Sequence, residues 1–146
     1  MSVEIARRTR ACWMRIRRYL RELYDQSKVA LSLKTRMAKT EAIEALLYGY
    51  STWNLGQENY AKLLTVHHRV LLRIIGAQRK IPDHRMIAYN LALEIAGCDS
   101  IETTLRTRRL LLAETLIRTS GERLPKRIVF GHLEGAVRKE RGGKEK

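Results

Sequence analysis

Apolar residues recur along this chain at spacings of three, four and seven, the period of a helix face. In the first stretch Ile5, Cys12, Ile16, Tyr19 and Leu23 fall on one side. At about 100° per residue, Arg7, Arg10, Arg17, Arg18 and Arg21 then gather on the other. A second helix is expected from a cap at Ser32 to about Tyr48, with Gly49 as its stop. Leu33, Met37, Thr40, Ile43 and Leu47 would face inward there. A polar joint, Asn54 to Glu58, leads into the most regular stripe: Tyr60, Leu63, Leu64, His67, Leu71, Ile74 and Ile75, ended by Gly76. Lys62, Arg69 and Arg73 take its opposite face.

A basic loop from Ala77 closes at Pro82, which bars a helix from continuing. Asp83 is placed to cap a helix reaching Ala96, with Gly97 behind it. Asp99 followed three residues later by Glu102 is close to a capping box. Ile101, Leu105, Leu112 and Leu116 carry the next helix to about Ser120, before Gly121. Leu124 and Pro125 open a short extended or turn segment to Leu133. Residues 134–146 are charged with almost nothing to bury, which predicts a disordered basic tail. No strand pattern or internal repeat is evident. The expectation is an all-α fold, about five amphipathic helices in a small helical bundle over residues 1–133, followed by the tail.

At 146 residues with 45% apolar content, the chain suits one domain with a true core and excludes a disordered polymer. The net charge of +14 changes the picture. Such an excess calls for a polyanion, most simply nucleic acid, against the plainer reading of charge that only keeps a protein dissolved. Arg outnumbers Lys 20 to 9, and a guanidinium fork can grip a phosphate bidentately. Solvated faces normally mix signs; the outer face of the first helix is nearly all arginine, so nucleic-acid contact is expected there.

Cys12 and Cys98 lie far apart without metal-type spacing or a disulfide framework. That fits a reducing interior, nucleus or cytoplasm. No apolar run approaches membrane-spanning length and no signal-peptide core is present, so no membrane partner is expected. Glu4, Glu22 and Asp25 are out of place in a mitochondrial presequence.

Candidate chemistry is thin. His67 and His68 are adjacent, about 100° apart on a helix, and cannot share a zinc ion by themselves. His67 sits within the apolar stripe, as a hydrogen-bonded core histidine would. There is no G-x-S-x-G, no Gly-rich phosphate loop and no paired aspartates, so no catalytic residue, metal, cofactor or small-molecule substrate is expected. Arg108 and Arg109 flank the Ile101/Leu105/Leu112/Leu116 stripe while Arg106 and Arg118 project elsewhere. Two readings stand for them: pairing with Glu94, Glu102 or helix-end carbonyls, or contact with nucleic acid. Trp13 and Trp53 read as packing residues at helix edges and junctions rather than base-stacking platforms.

Several phrases carry a resemblance in order along residues 3–135. They are LLYG at Leu46–Gly49 with Trp53, HHR at His67–Arg69, Ile75–Gly76, SIE at Ser100–Glu102, Leu105–Arg106, Arg108–Arg109–Leu110, and RLPK at Arg123–Lys126. Together they resemble the thumb and post-thumb segment of non-LTR (LINE-type) retrotransposon reverse transcriptases. The resemblance implies helices lining the product side of a primer–template channel. It makes Arg7, Arg8, Arg15, Arg18, Arg36 and Lys39 candidates for phosphate contacts along an RNA–DNA hybrid, joining Arg10, Arg17, Arg21, Arg106, Arg108 and Arg109. Such contacts position a duplex without reading its sequence. It also implies that the polymerase aspartates belong upstream of Met1, so that a palm would act in trans if at all. Where many relatives have Trp and then Gly-His after the RR-L motif, this chain has Leu112 and Glu114–Thr115. The expected function is non-catalytic binding of RNA, DNA or their hybrid. The alternative is a degenerate retroelement relic, or a protein-interaction module without independent activity.

Overall fold

In the computed structural model the residues described are 2–50, 56–76 and 87–120, with Pro125, Lys126 and Ile128. Among them the chain is helical and contains no strand, so the all-α expectation holds. Helix α1 spans Ser2–Arg18 and passes into a π-helical turn, Leu20–Tyr24. The next rod is continuous but changes pitch: α2 (Leu31–Met37), a π-helical stretch (Ala38–Ile43) and α3 (Glu44–Leu47). Then come α4 (Gln57–Ile74), α5 (Tyr89–Ala96) and α6 (Ile101–Arg118). The chain divides into two compact units, Met1–Leu105 and Arg106–Lys146. The expected boundary at residue 133, the tail behind it, Trp53, and the QRKIP loop all lie outside the described residues.

In the first unit α1 packs along the π stretch and α3, and α4 packs on α1 and α5. Ile5, Cys12 and Ile16 are buried, as their spacing predicts. Tyr19 and Leu23 are half-buried against the same core. From α4 come Leu63, His67, Leu71 and Ile74, joined by Val66, Val70 and Leu72. Removing this apolar surface from water is the main force holding the rods together. No buried side-chain nitrogen or oxygen among the described residues lacks a hydrogen-bond partner, which a stable helical core requires.

The second rod corrects three expectations. Its N-cap is Ala30, one residue before the helix begins, so Ser32 lies inside the first turn and does not cap it. Its inward residues are Lys34, Thr35, Ala38, Ala42, Ile43, Leu46 and Leu47. Leu33 and Thr40, assigned inward, are exposed. Alanines at 38 and 42 let the α1 backbone come close, so small side chains occupy the seam that larger ones were expected to fill. The buried Lys34 is stabilised by donating to the carbonyls of Tyr24 (3.2 Å) and Gln26 (2.6 Å), where the preceding π turn ends.

Two further helix starts differ from expectation. The helix ending at Ala96 begins at Tyr89, behind an extended Ala88 (ψ 151), and Asp83, its expected cap, lies outside the described residues. The cap of α6 is Ser100, not Asp99: Ser100 Oγ accepts the Thr103 N–H at 3.0 Å. Arg73, assigned to the outer face of α4, instead pairs with Asp25 at 2.6 Å, both side chains largely shielded (17% and 11% exposed). The stop at Gly97 is as predicted, with φ +59, and the Cys98 and Gly97 N–H groups bond back to Leu93 and Glu94.

Candidate nucleic-acid interface

The arginines of α1 separate into two sets. On the flank facing the second rod, Arg8 donates to Glu4 (2.7 Å) and its guanidinium lies 4.6 Å from the centre of the Tyr48 ring. Arg15 reaches Glu41 at 3.4 Å on the same side. Arg7 shares Glu4, at 2.8 Å. The Arg7 contact first, and Arg8 after it, hold the Glu4 carboxyl below its ordinary range. The Arg7 and Arg15 pairs are exposed and of modest worth, so phosphates could compete for them, whereas the Arg8 pair is part-buried.

On the outer face Arg10, Arg17 and Arg21 are exposed and have no acidic partner among the described residues. Arg18, also exposed, lies 5.5 Å from the ring of its neighbour Tyr19. From Arg10 to Arg21 the rod rises about 16 Å, a length over which a duplex carries roughly nine phosphates on its two strands. Counter-ion release from even a few of them is substantial.

The other predicted contacts are differently placed. Arg36 is exposed on α2. Lys39 donates to the carbonyl of Gly97 at 3.1 Å, beside Thr35 Oγ1 on Ala96 O at 3.0 Å. Lys39 thus closes the C-terminal end of α5, where a cation offsets the negative pole of the helix. Arg106 and Arg109 are exposed and Arg108 half-buried; these three belong to the second unit. Lys126 of the RLPK phrase donates to Ile117 O and Thr119 O (2.9 and 2.8 Å), which closes the end of α6.

His67 is a core histidine. Burial chiefly, then the charges of His68 and Lys39, lowers its pKa to about 4. Its Nδ1 lies 2.8 Å from the Tyr89 hydroxyl, which also accepts the Ile101 N–H at 3.0 Å. The Ile101 N–H must donate, and the hydroxyl oxygen that accepts it keeps its own hydrogen bond with the neutral imidazole at Nδ1. His68 Nε2 in turn donates to Ile87 O at 3.0 Å. Burial pushes the Cys12 thiol up to about 12, far from a nucleophile's range. Among the described residues no three His, Cys, Asp or Glu side chains converge to hold a metal ion, and no helix is long and apolar enough to cross a membrane.

Tyr48, exposed beneath Arg8, escaped the sequence reading because the contact joins positions forty apart and no local pattern announces it. Trp13 is half-buried against the core, as a packing residue should be. The chain matches no protein-family model, no curated protein and no solved structure.

Proposed function

We propose that this chain is a non-catalytic, thumb-like helical segment of the non-LTR reverse transcriptase type, holding RNA, DNA or hybrid backbones without reading their sequence. The observation that carries the proposal is the outer face of α1 and its π turn, where Arg10, Arg17 and Arg21 stand exposed without acidic partners among the described residues. The overall charge of +14 supplies the long-range attraction. The ordered phrases from LLYG to RLPK supply the family reading.

The test is fluorescence anisotropy with a labelled RNA–DNA hybrid across a salt series. With three to six phosphates neutralised, log K falls against log salt with a slope of roughly −3 to −5. Replacing Arg10, Arg17 and Arg21 together by Gln lowers affinity and flattens that slope by roughly 2 to 3, with helix content unchanged by circular dichroism. A flat salt response in the native chain would refute the proposal.

One observation favours the second reading, an interaction module or relic. Leu110, Leu111 and Ile117 of α6 are 70%, 55% and 63% exposed, a large apolar area for one short segment. Light scattering separates the two: concentration-dependent self-association without salt-sensitive nucleic-acid binding supports the module.

A further inference from the structure

Helices α1 and α4 part on one side to leave an open groove of about 690 Å³. Its floor is Ile5 and Val66, both buried. Its walls are short side chains, Ala6 and Thr9 on α1, Ala61 and Thr65 on α4. The Thr65 hydroxyl already donates to Ala61 O at 2.9 Å, so that residue has its polar group satisfied within its own helix. Small residues on both walls allow a third helix to seat its ridge between the two, at the 8–10 Å axial distances usual for packed helices. An open trough of this form suits a rod more than a lipid chain, which needs enclosure.

The charge at the rim selects the kind of rod. Arg10 stands at one edge, exposed and without an acidic partner among the described residues. At the other edge Lys62 and Glu58 neutralise each other at 2.6 Å. The rim is therefore net positive in a chain of net charge +14, which repels a second copy and attracts an acidic partner.

We infer that the α1–α4 groove is a docking site for an acidic amphipathic helix of a partner protein, which seats apolar side chains between Ala6 and Ala61 and a carboxylate on Arg10. This goes beyond backbone binding: Arg10 borders both surfaces, but the groove walls lie off the Arg17–Arg21 row.

A fluorescein-labelled, lactam-stapled helical peptide with two leucines one turn apart and a glutamate one turn beyond serves as the probe. It binds the full chain by anisotropy. Ala61→Leu, at an exposed position that leaves the core alone, weakens it by about tenfold or more, because a leucine excluded from the groove forfeits its burial. Ala6→Leu acts alike, and Arg10→Gln weakens the peptide by about three- to tenfold. Ala61→Leu leaves hybrid binding unchanged, whereas Arg17→Gln with Arg21→Gln weakens the hybrid and leaves the peptide unchanged, so the two readings fail separately. Unchanged peptide affinity in both leucine variants overturns the inference. Equal binding of a peptide with lysine in place of the glutamate overturns it too. So does self-association abolished by Ala61→Leu, which would seat a second copy there.

Discussion

Tyr89 serves two segments with one hydroxyl: it accepts the first free N–H of α6 and hydrogen-bonds a buried imidazole of α4. Tyr89→Phe leaves both groups unsatisfied and is expected to lower stability by about 2–3 kcal/mol in urea melts. His67 adds a pH dependence. Its folded pKa of about 4 lies below the ordinary 6.5, so the unfolded chain takes up the proton first as pH falls. Stability from keeping the ring neutral is whole above about pH 6.5, declines through the window down to about 4, and is lost below. The loss is on the order of 3 kcal/mol, and His67→Leu should remove most of the slope between about pH 6.5 and 4. The histidine's place was readable because it falls on an apolar stripe. Lys34 was not, since nothing in a lysine code shows that helix-end carbonyls wait within reach of its ammonium.

At the scale of elements, the readable parts are those where one local rule decides. The α4 stripe and the stop at Gly97 follow from periodicity and from the need for positive φ. Gly97→Ala is expected to cost about 1 kcal/mol or more, seen as a lower thermal midpoint, even though a Cβ there meets open space. The strain comes from the backbone at φ +59, not from crowding. The second rod misled because a π stretch at Ala38–Ile43 rotates residues away from the 3.6 period, and because its seam uses alanines. A wheel drawn at a constant angle weights Leu33 and Thr40 by hydrophobicity and period alone, and cannot see which neighbour is close. Asp25 with Arg73 is the same lesson for charge: an outward arginine by the wheel becomes a shielded link between the π turn and α4. Its partner comes from 48 residues away.

Across the molecule most described lysines are tied into the fold, while one row of arginines is left outward. Of the five described lysines, Lys34, Lys39 and Lys126 close helix ends through backbone carbonyls, Lys62 neutralises Glu58, and Lys28 is exposed. The outward row at Arg10, Arg17 and Arg21 is arginine throughout, and that row was legible from composition and period. The pairing of Arg7 and Arg8 with Glu4 is local to α1, at helical spacings of three and four. That of Arg15 with Glu41 was not legible, because it depends on how α1 lies along the second rod. The division gives a prediction that separates fold from binding among the basic residues. Lys39→Gln removes the cation that closes α5 and is expected to cost about 1–2 kcal/mol of stability in urea melts. If Lys39 is committed to Gly97 O, the same change leaves the salt slope of hybrid binding within about 0.3 of the native value. Arg17→Gln should do the reverse, moving the slope by about 0.9 while the urea midpoint stays put. A Lys39→Gln slope shifted by a full phosphate would instead place that ammonium on nucleic acid when the ligand is bound, and would extend the grip from α1 onto the second rod.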